Sequence, residues 1–162
     1  MSDLEPQAPK AHIGETLEGT SKPLVDQTRS VRVVIADDNA YMREHLRTML
    51  EADGITVVGE AENGVQAVDL FRREQPDAVI MDLVMPELDG YGAIAQIIEI
   101  DEDARIIVCS GMGSNDEVTK AITAGAIDFL VKPFQVERVA EVIRTVLPGV
   151  VGLTGPGTSA GA

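Results

Sequence analysis

The 162-residue chain has no tryptophan, and aromatic residues make up only 3% of it. Hydrophobic residues still reach 44%, so any core must be aliphatic, built from Ile, Val, Leu, Ala and Met. The single cysteine, Cys109, excludes an internal disulfide framework and any cysteine-based zinc site. It closes the apolar run Ile106-Ile107-Val108-Cys109, where a small buried hydrophobe is expected rather than a redox group. The two histidines, His12 and His45, have no second ligand at metal spacing, so neither is expected to act in metal binding or catalysis. No segment approaches the ~20 apolar residues of a membrane span, and the N-terminus has no apolar stretch of signal-peptide length. A soluble cytoplasmic protein is the expectation. Positive charge is scarce as well: 13 Lys and Arg face 27 Asp and Glu, for a net charge of −14. Residues 31–147 alone hold 22 acidic and 10 basic side chains, so the imbalance is not confined to a tail. Such a surface repels phosphate backbones and anionic lipid, which argues against nucleic-acid and membrane partners.

Residues 1–30 are polar, carry Pro6, Pro9 and Pro23, and show no sustained period, which predicts a disordered arm. Residues 148–162 begin Pro148-Gly149 and bear no side-chain charge, which predicts a flexible tail. Between them, apolar runs alternate with helical patterns. Val31–Ala36 reads as a strand buried on both faces, and Ile55–Gly59, Ala78–Met81, Arg105–Ser110 and Ile127–Val131 read as four further strands. Met42, Leu46, Met49 and Leu50 mark one face of a first helix that Asp53-Gly54 ends. Val65, Val68 and Phe71 mark a second, stopping before Pro76, and Tyr91, Ile94, Ile97 and Ile98 a third. Val118, Ala121 and Ile122 belong to a fourth helix over Asn115–Ala124, closed by Gly125. Val136, Val139, Ala140, Ile143 and Leu147 mark the last, over Gln135–Leu147. Five strand–helix units call for right-handed crossovers and a parallel sheet covered on both faces, an α/β fold over residues 31–147.

In such sheets ligands bind at the carboxyl ends of the strands. Those ends carry Asp37-Asp38, Asp82, Ser110 and Lys132. Each has an ordinary explanation alone: a helix cap, a turn residue, a helix-entry hydroxyl, a solvated lysine. Together they read differently. Three carboxylates at one sheet edge repel unless a cation sits among them, and a hard oxygen-liganded ion such as Mg²⁺ fits while leaving room for phosphate oxygens. A nearby ammonium and hydroxyl then complete a site for a phosphoryl group.

The segments Ile35-Ala36-Asp37-Asp38-Asn39, Met81-Asp82-Leu83-Val84-Met85-Pro86-Glu87-Leu88-Asp89-Gly90 and Val131-Lys132-Pro133-Phe134 resemble the three signature stretches of response-regulator receiver domains. Cys109-Ser110-Gly111-Met112-Gly113 and Gly125–Gln135 are most similar to the single-domain chemotaxis (CheY-type) regulators. The resemblance, not the pattern of runs, supplies a flavodoxin-like doubly wound sheet of order 2-1-3-4-5 with five helices. It implies that Asp82 accepts a phosphoryl group, from a histidine kinase or a small phosphodonor. Asp38 is then the direct Mg²⁺ ligand and Asp37 the water-mediated one, joined by Asp82 and the backbone carbonyl of Val84. Lys132 contacts the phosphoryl oxygens, and its bond to Pro133 is expected to be cis. Ser110 moves to the phosphate, and Phe129 swings inward after it. The implied partners are the kinase and a protein target bound through the fourth helix, fifth strand and last helix, with the flagellar motor switch as the implied example. A monomeric signalling domain is expected, not an enzyme acting on a separate substrate. A Mg²⁺-dependent phosphohydrolase of the haloacid-dehalogenase type needs a second Asp two positions after the nucleophile, where this chain has Val84. A phosphorelay intermediate, or a regulator of another effector, stays open.

Overall fold

The computed structural model describes residues 30–147. The arm expected over 1–30, apart from Ser30, and the tail expected over 148–162 lie outside the described residues.

Five strands form one parallel sheet: β1 (Arg32–Ala36), β2 (Thr56–Ala61), β3 (Ala78–Asp82), β4 (Ile106–Ser110) and β5 (Asp128–Val131). Five helices alternate with them: α1 (Ala40–Ala52), α2 (Gly64–Glu74), α3 (Gly90–Ile100), α4 (Asn115–Ala124) and α5 (Val136–Val146). The strand order is β2-β1-β3-β4-β5, as the resemblance implied. β3 and β4 are buried along their whole length, which is why both read as continuous apolar runs. Successive side chains take opposite faces. Ile35, Ile80, Ile107 and Leu130 pack with Leu46, Leu50, Val142 and Ile143 under α1 and α5. Val34, Val79, Met81 and Val108 pack with Phe71, Ile94 and Ile97 under α2, α3 and α4. Each of the fully buried isoleucines contributes about 2 kcal/mol by burial.

In two of the helices one apolar residue of the pattern faces solvent. Val65 and Ile122 are exposed. On α2 the inward row is Gly64, Ala67, Val68 and Phe71, and Val65 stands one position off it. On α4 the buried position is Ala121, its neighbour. β2 runs two residues past Gly59, because Glu60 and Ala61 keep pairing with Ile35 and Ala36 after a register shift between Val33 and Val34. Gln75, left-handed at φ 47°, closes α2 ahead of Pro76, and Gly125 at φ 129° closes α4.

Candidate functional site

The parallel register brings four strand ends to one edge of the sheet. Asp37 follows β1 and Asp82 ends β3; they are 1% and 7% exposed. Ser110 ends β4 at 1% exposure, and Lys132 follows β5. Asp38 is exposed at the rim. Carboxylate oxygens of Asp37, Asp38 and Asp82 all lie within 4.8 Å of one another.

Local chemistry keeps these carboxylates available. The cap of α1 is Asn39, whose side chain accepts from the backbone N–H groups of Tyr41 and Met42, so neither Asp37 nor Asp38 performs that task. Asp37 Oδ1 accepts from Asn39 N at 2.8 Å, which aims its other oxygen into the cluster. Arg43 Nη1 donates to the Asp37 carbonyl at 2.7 Å. Asn39 and Arg43 escaped the sequence reading, although an Asn one residue before a helical pattern is a readable cap signal.

Lys132 Nζ donates to Asp37 Oδ2 at 2.8 Å and stands 3.6 Å from Asp82 Oδ2. Burial pulls the lysine pKa down, but the hydrogen bond to Asp37 and the charges of Asp82 and Asp37 leave it raised. Lys132 is the cation held among the acids. Asp82 has its pKa raised, chiefly by burial and then by the Asp37 charge, against the opposing pull of Lys132. The Lys132–Pro133 peptide is cis. Ser110 Oγ accepts from Met112 N at 3.1 Å, and Lys132 N donates to the Ser110 carbonyl at 2.8 Å.

The rim is apolar. Val84 and Met112, each two residues beyond a site residue, are 62% and 53% exposed. Directly behind the site, α3 approaches the end of β3 so closely that a Cβ on Gly90 would lie 2.3 Å from the Asp82 carbonyl oxygen. Phe129 is buried, 9% exposed, in the apolar cluster that includes Val108, Ala121 and Ala126. Cys109 is a buried thiol pushed up to about 12, by burial first, as its apolar run suggested. His45 is exposed on α1 and stacks on Tyr41 at 6.3 Å, away from the acidic cluster, and His12 lies outside the described residues.

A doubly wound parallel sheet with three carboxylates, a lysine and a hydroxyl at its carboxyl edge defines the class of CheY-like flavodoxin folds. The response regulator receiver domain profile matches residues 33–144, and the chain belongs to that family. It is 51% identical over 116 residues to the chemotaxis protein CheY of Bacillus subtilis, covering 72% of this chain and 97% of that protein. It is 50% identical over 115 residues to CheY of Thermotoga maritima, covering 71% and 96%. Among solved structures, the CheX–CheY–BeF₃–Mg²⁺ complex of Borrelia burgdorferi matches with a TM-score of 0.71 at 28% identity, over 73% of this chain and 90% of that one. The chain is thus a CheY-like receiver domain of the two-component response-regulator type, a signalling regulator. Among the described residues no helix is long and apolar enough to cross a membrane.

Proposed function

We propose that the protein is a phospho-switch in which Asp82 accepts a phosphoryl group. The observation that carries this reading is the meeting of Asp37, Asp38 and Asp82 oxygens within 4.8 Å beside Lys132 and Ser110. The donor set is all hard oxygen, which fits a divalent cation that keeps some of its waters. Asp37, Asp38, Asp82 and the Val84 carbonyl would hold Mg²⁺, which supplies charge neutralisation to the phosphoryl oxygens when bound. The beryllofluoride and magnesium in the Borrelia burgdorferi relative's complex support that choice.

An Asp82 oxygen attacks phosphorus of a phosphohistidine on a histidine kinase; the N–P bond breaks and the imidazole leaves with a proton. Lys132 turns its ammonium from Asp37 to the incoming oxygens, and Ser110 exchanges its bond with Met112 N for one to the phosphoryl group. The product acyl phosphate biases a two-state surface. That surface is α4, β5 and α5, and Phe129 moves farther inward once Ser110 leaves Met112 N. Exposed Ile122, Ile127 and Val131 on α4 and around β5 support a protein target there. The chemotaxis proteins among the relatives favour a cytoplasmic role in motor control, with the flagellar switch as target.

Intact mass after incubation with acetyl phosphate tests the reading. One phosphoryl group per chain is expected with Mg²⁺ and none in EDTA; no gain with Mg²⁺ overturns it. Tightened binding of a motor-switch peptide supports the chemotactic output, whereas rapid transfer to a second histidine protein supports a relay.

A further inference from the structure

α3 is fastened to the strand that carries Asp82. Gly90 N donates to the Leu83 carbonyl at 2.9 Å, and the missing Cβ of Gly90 lets the helix rest on the Asp82 carbonyl. Asp89 caps the helix through Gly92 N at 2.9 Å. The first turn of α3 therefore moves with the acceptor strand. Its second residue is Tyr91.

Tyr91 is gripped from α4 by two side chains. Its hydroxyl donates to Glu117 Oε1, and Lys120 Nζ stands 4.5 Å from its ring centroid. Glu117 and Lys120 are three residues apart, so they share one helix face, and the aromatic ring takes the cation on its π surface. Burial, then the hydrogen bond to Glu117 and the charges of Glu117 and Asp89, push the phenol up to about 12, so its proton stays in place as donor.

The far side of the grip leads back to the site. Glu117 N donates to Ser114 Oγ, the cap of α4, at 3.2 Å. Three residues, Gly111 to Gly113, join that cap to Ser110. Two of them are held close to β4 and β5. Met112 N is bonded to Ser110 Oγ, and a Cβ on Gly113 would lie 2.6 Å from Val131 Cγ2. When Ser110 turns toward a phosphoryl group it releases Met112, and the displacement passes through this short loop into the first turn of α4.

We propose that Tyr91 is a positioning residue: a latch that ties the first turns of α4 to the frame of Asp82, through Glu117 at its hydroxyl and Lys120 at its ring face. The latch biases the domain toward the arrangement in which Ser110 is held by Met112. This rests on the phospho-switch reading above and adds a brake to it. A ligand shifts a two-state equilibrium only by its differential affinity, so a contact made in one state alone sets how much of that affinity is spent on switching. Loss of the latch raises the share of the binding-competent arrangement, and apparent affinity rises with it.

The test is binding of beryllofluoride in excess Mg²⁺ to the full chain, followed by amide NMR. Tyr91→Phe and Glu117→Ala are expected to bind about three- to tenfold tighter than wild type, the worth of one partly exposed charge-assisted hydrogen bond. Lys120→Met shifts affinity the same way. Tyr41→Phe, which removes the hydroxyl of the exposed tyrosine on α1, leaves it unchanged. A merely structural tyrosine lowers the melting temperature without tightening binding. Wild-type binding with equal or weaker binding by Tyr91→Phe and Glu117→Ala overturns the latch alone. Failure of the wild type to bind overturns the phospho-switch reading and the latch together.

Discussion

The Lys132 ammonium and the Asp37 carboxylate, 95 residues apart in the chain, meet at 2.8 Å inside the carboxyl edge of the sheet. That pairing explains how three acids share one corner without the fold opening. It is incomplete, because Asp82 stands farther from the lysine, at 3.6 Å, and its pKa stays raised.

The residual repulsion has a sign that can be measured. A carboxyl group with a raised folded-state pKa holds its proton more tightly folded than unfolded. Ionising it therefore costs stability as pH rises from the unfolded value through the folded one. Asp82→Asn removes that cost. In EDTA at neutral pH the variant should melt above wild type. The gap should close as pH falls through the carboxylate range. Added Mg²⁺ should stabilise wild type by mass action and the variant much less. Equal melting temperatures in EDTA with equal Mg²⁺ shifts would contradict the cluster.

The lifetime of the acyl phosphate should be long. Val84 and Met112 flank the mouth of the site, and neither can orient or deprotonate an attacking water. Val84→Asn combined with Met112→Glu should hasten loss of phosphate about tenfold or more. Decay of the phosphorylated forms, followed by mass spectrometry, is the check. A double variant that decays no faster than wild type rules this account out.

Gly90 should tolerate no side chain. Its ideal Cβ position lies 2.3 Å from the Asp82 carbonyl oxygen and 2.7 Å from Leu83 Cα, both backbone atoms with no rotamer to change. Gly90→Ala should cost about 3 kcal/mol in urea unfolding and weaken beryllofluoride binding, because α3 must be pushed off β3. Gly111→Ala serves as the reference, since nothing lies within 4 Å of its Cβ position. Equal midpoints for the two variants would contradict the close approach.

Transmission from the site should depend on Ser110. Its hydroxyl accepts from Met112 N, a bond that Ser110 must give up to reach a phosphoryl group. Beryllofluoride with Mg²⁺ should shift methyl and aromatic NMR signals of α4, β5 (Phe129 included) and α5 in wild type. In Ser110→Ala those distant shifts should shrink while Asp82 phosphorylation largely persists. Shifts confined to the Asp82 pocket in wild type would refute this route.

The sheet and its site were legible in the sequence for a physical reason. Strands buried on both faces leave no polar alternation, so β1, β3 and β4 appear as unbroken apolar runs, and the residues that follow them fall at one edge. Asp37, Asp82, Ser110 and Lys132 could be found by reading those ends alone. Contacts between helices left no such trace. Tyr91 read as one more stripe residue of α3, and nothing in its neighbours announces Glu117, 26 residues on. Val65 and Ile122 lie in the helices their patterns predict, but a count of apolar positions cannot tell an inward row from its exposed neighbour one residue away. The end of β2 was misplaced because Glu60 interrupts the run while its backbone still pairs with Ile35. Phe129 shows the remaining limit: the sequence offers an aromatic on β5, and only coordinates show it buried.

Asp82 as the acceptor is tested most directly by locating the phosphoryl group. The full chain is phosphorylated with acetyl phosphate and Mg²⁺, the acyl phosphate is trapped by borohydride reduction, and the modified residue is identified by peptide mass spectrometry. Modification at Asp82, lost in Asp82→Asn, is the predicted result. Modification at Asp37, Asp38 or any other residue, or an Asp82→Asn variant labelled as fully as wild type, would contradict the account.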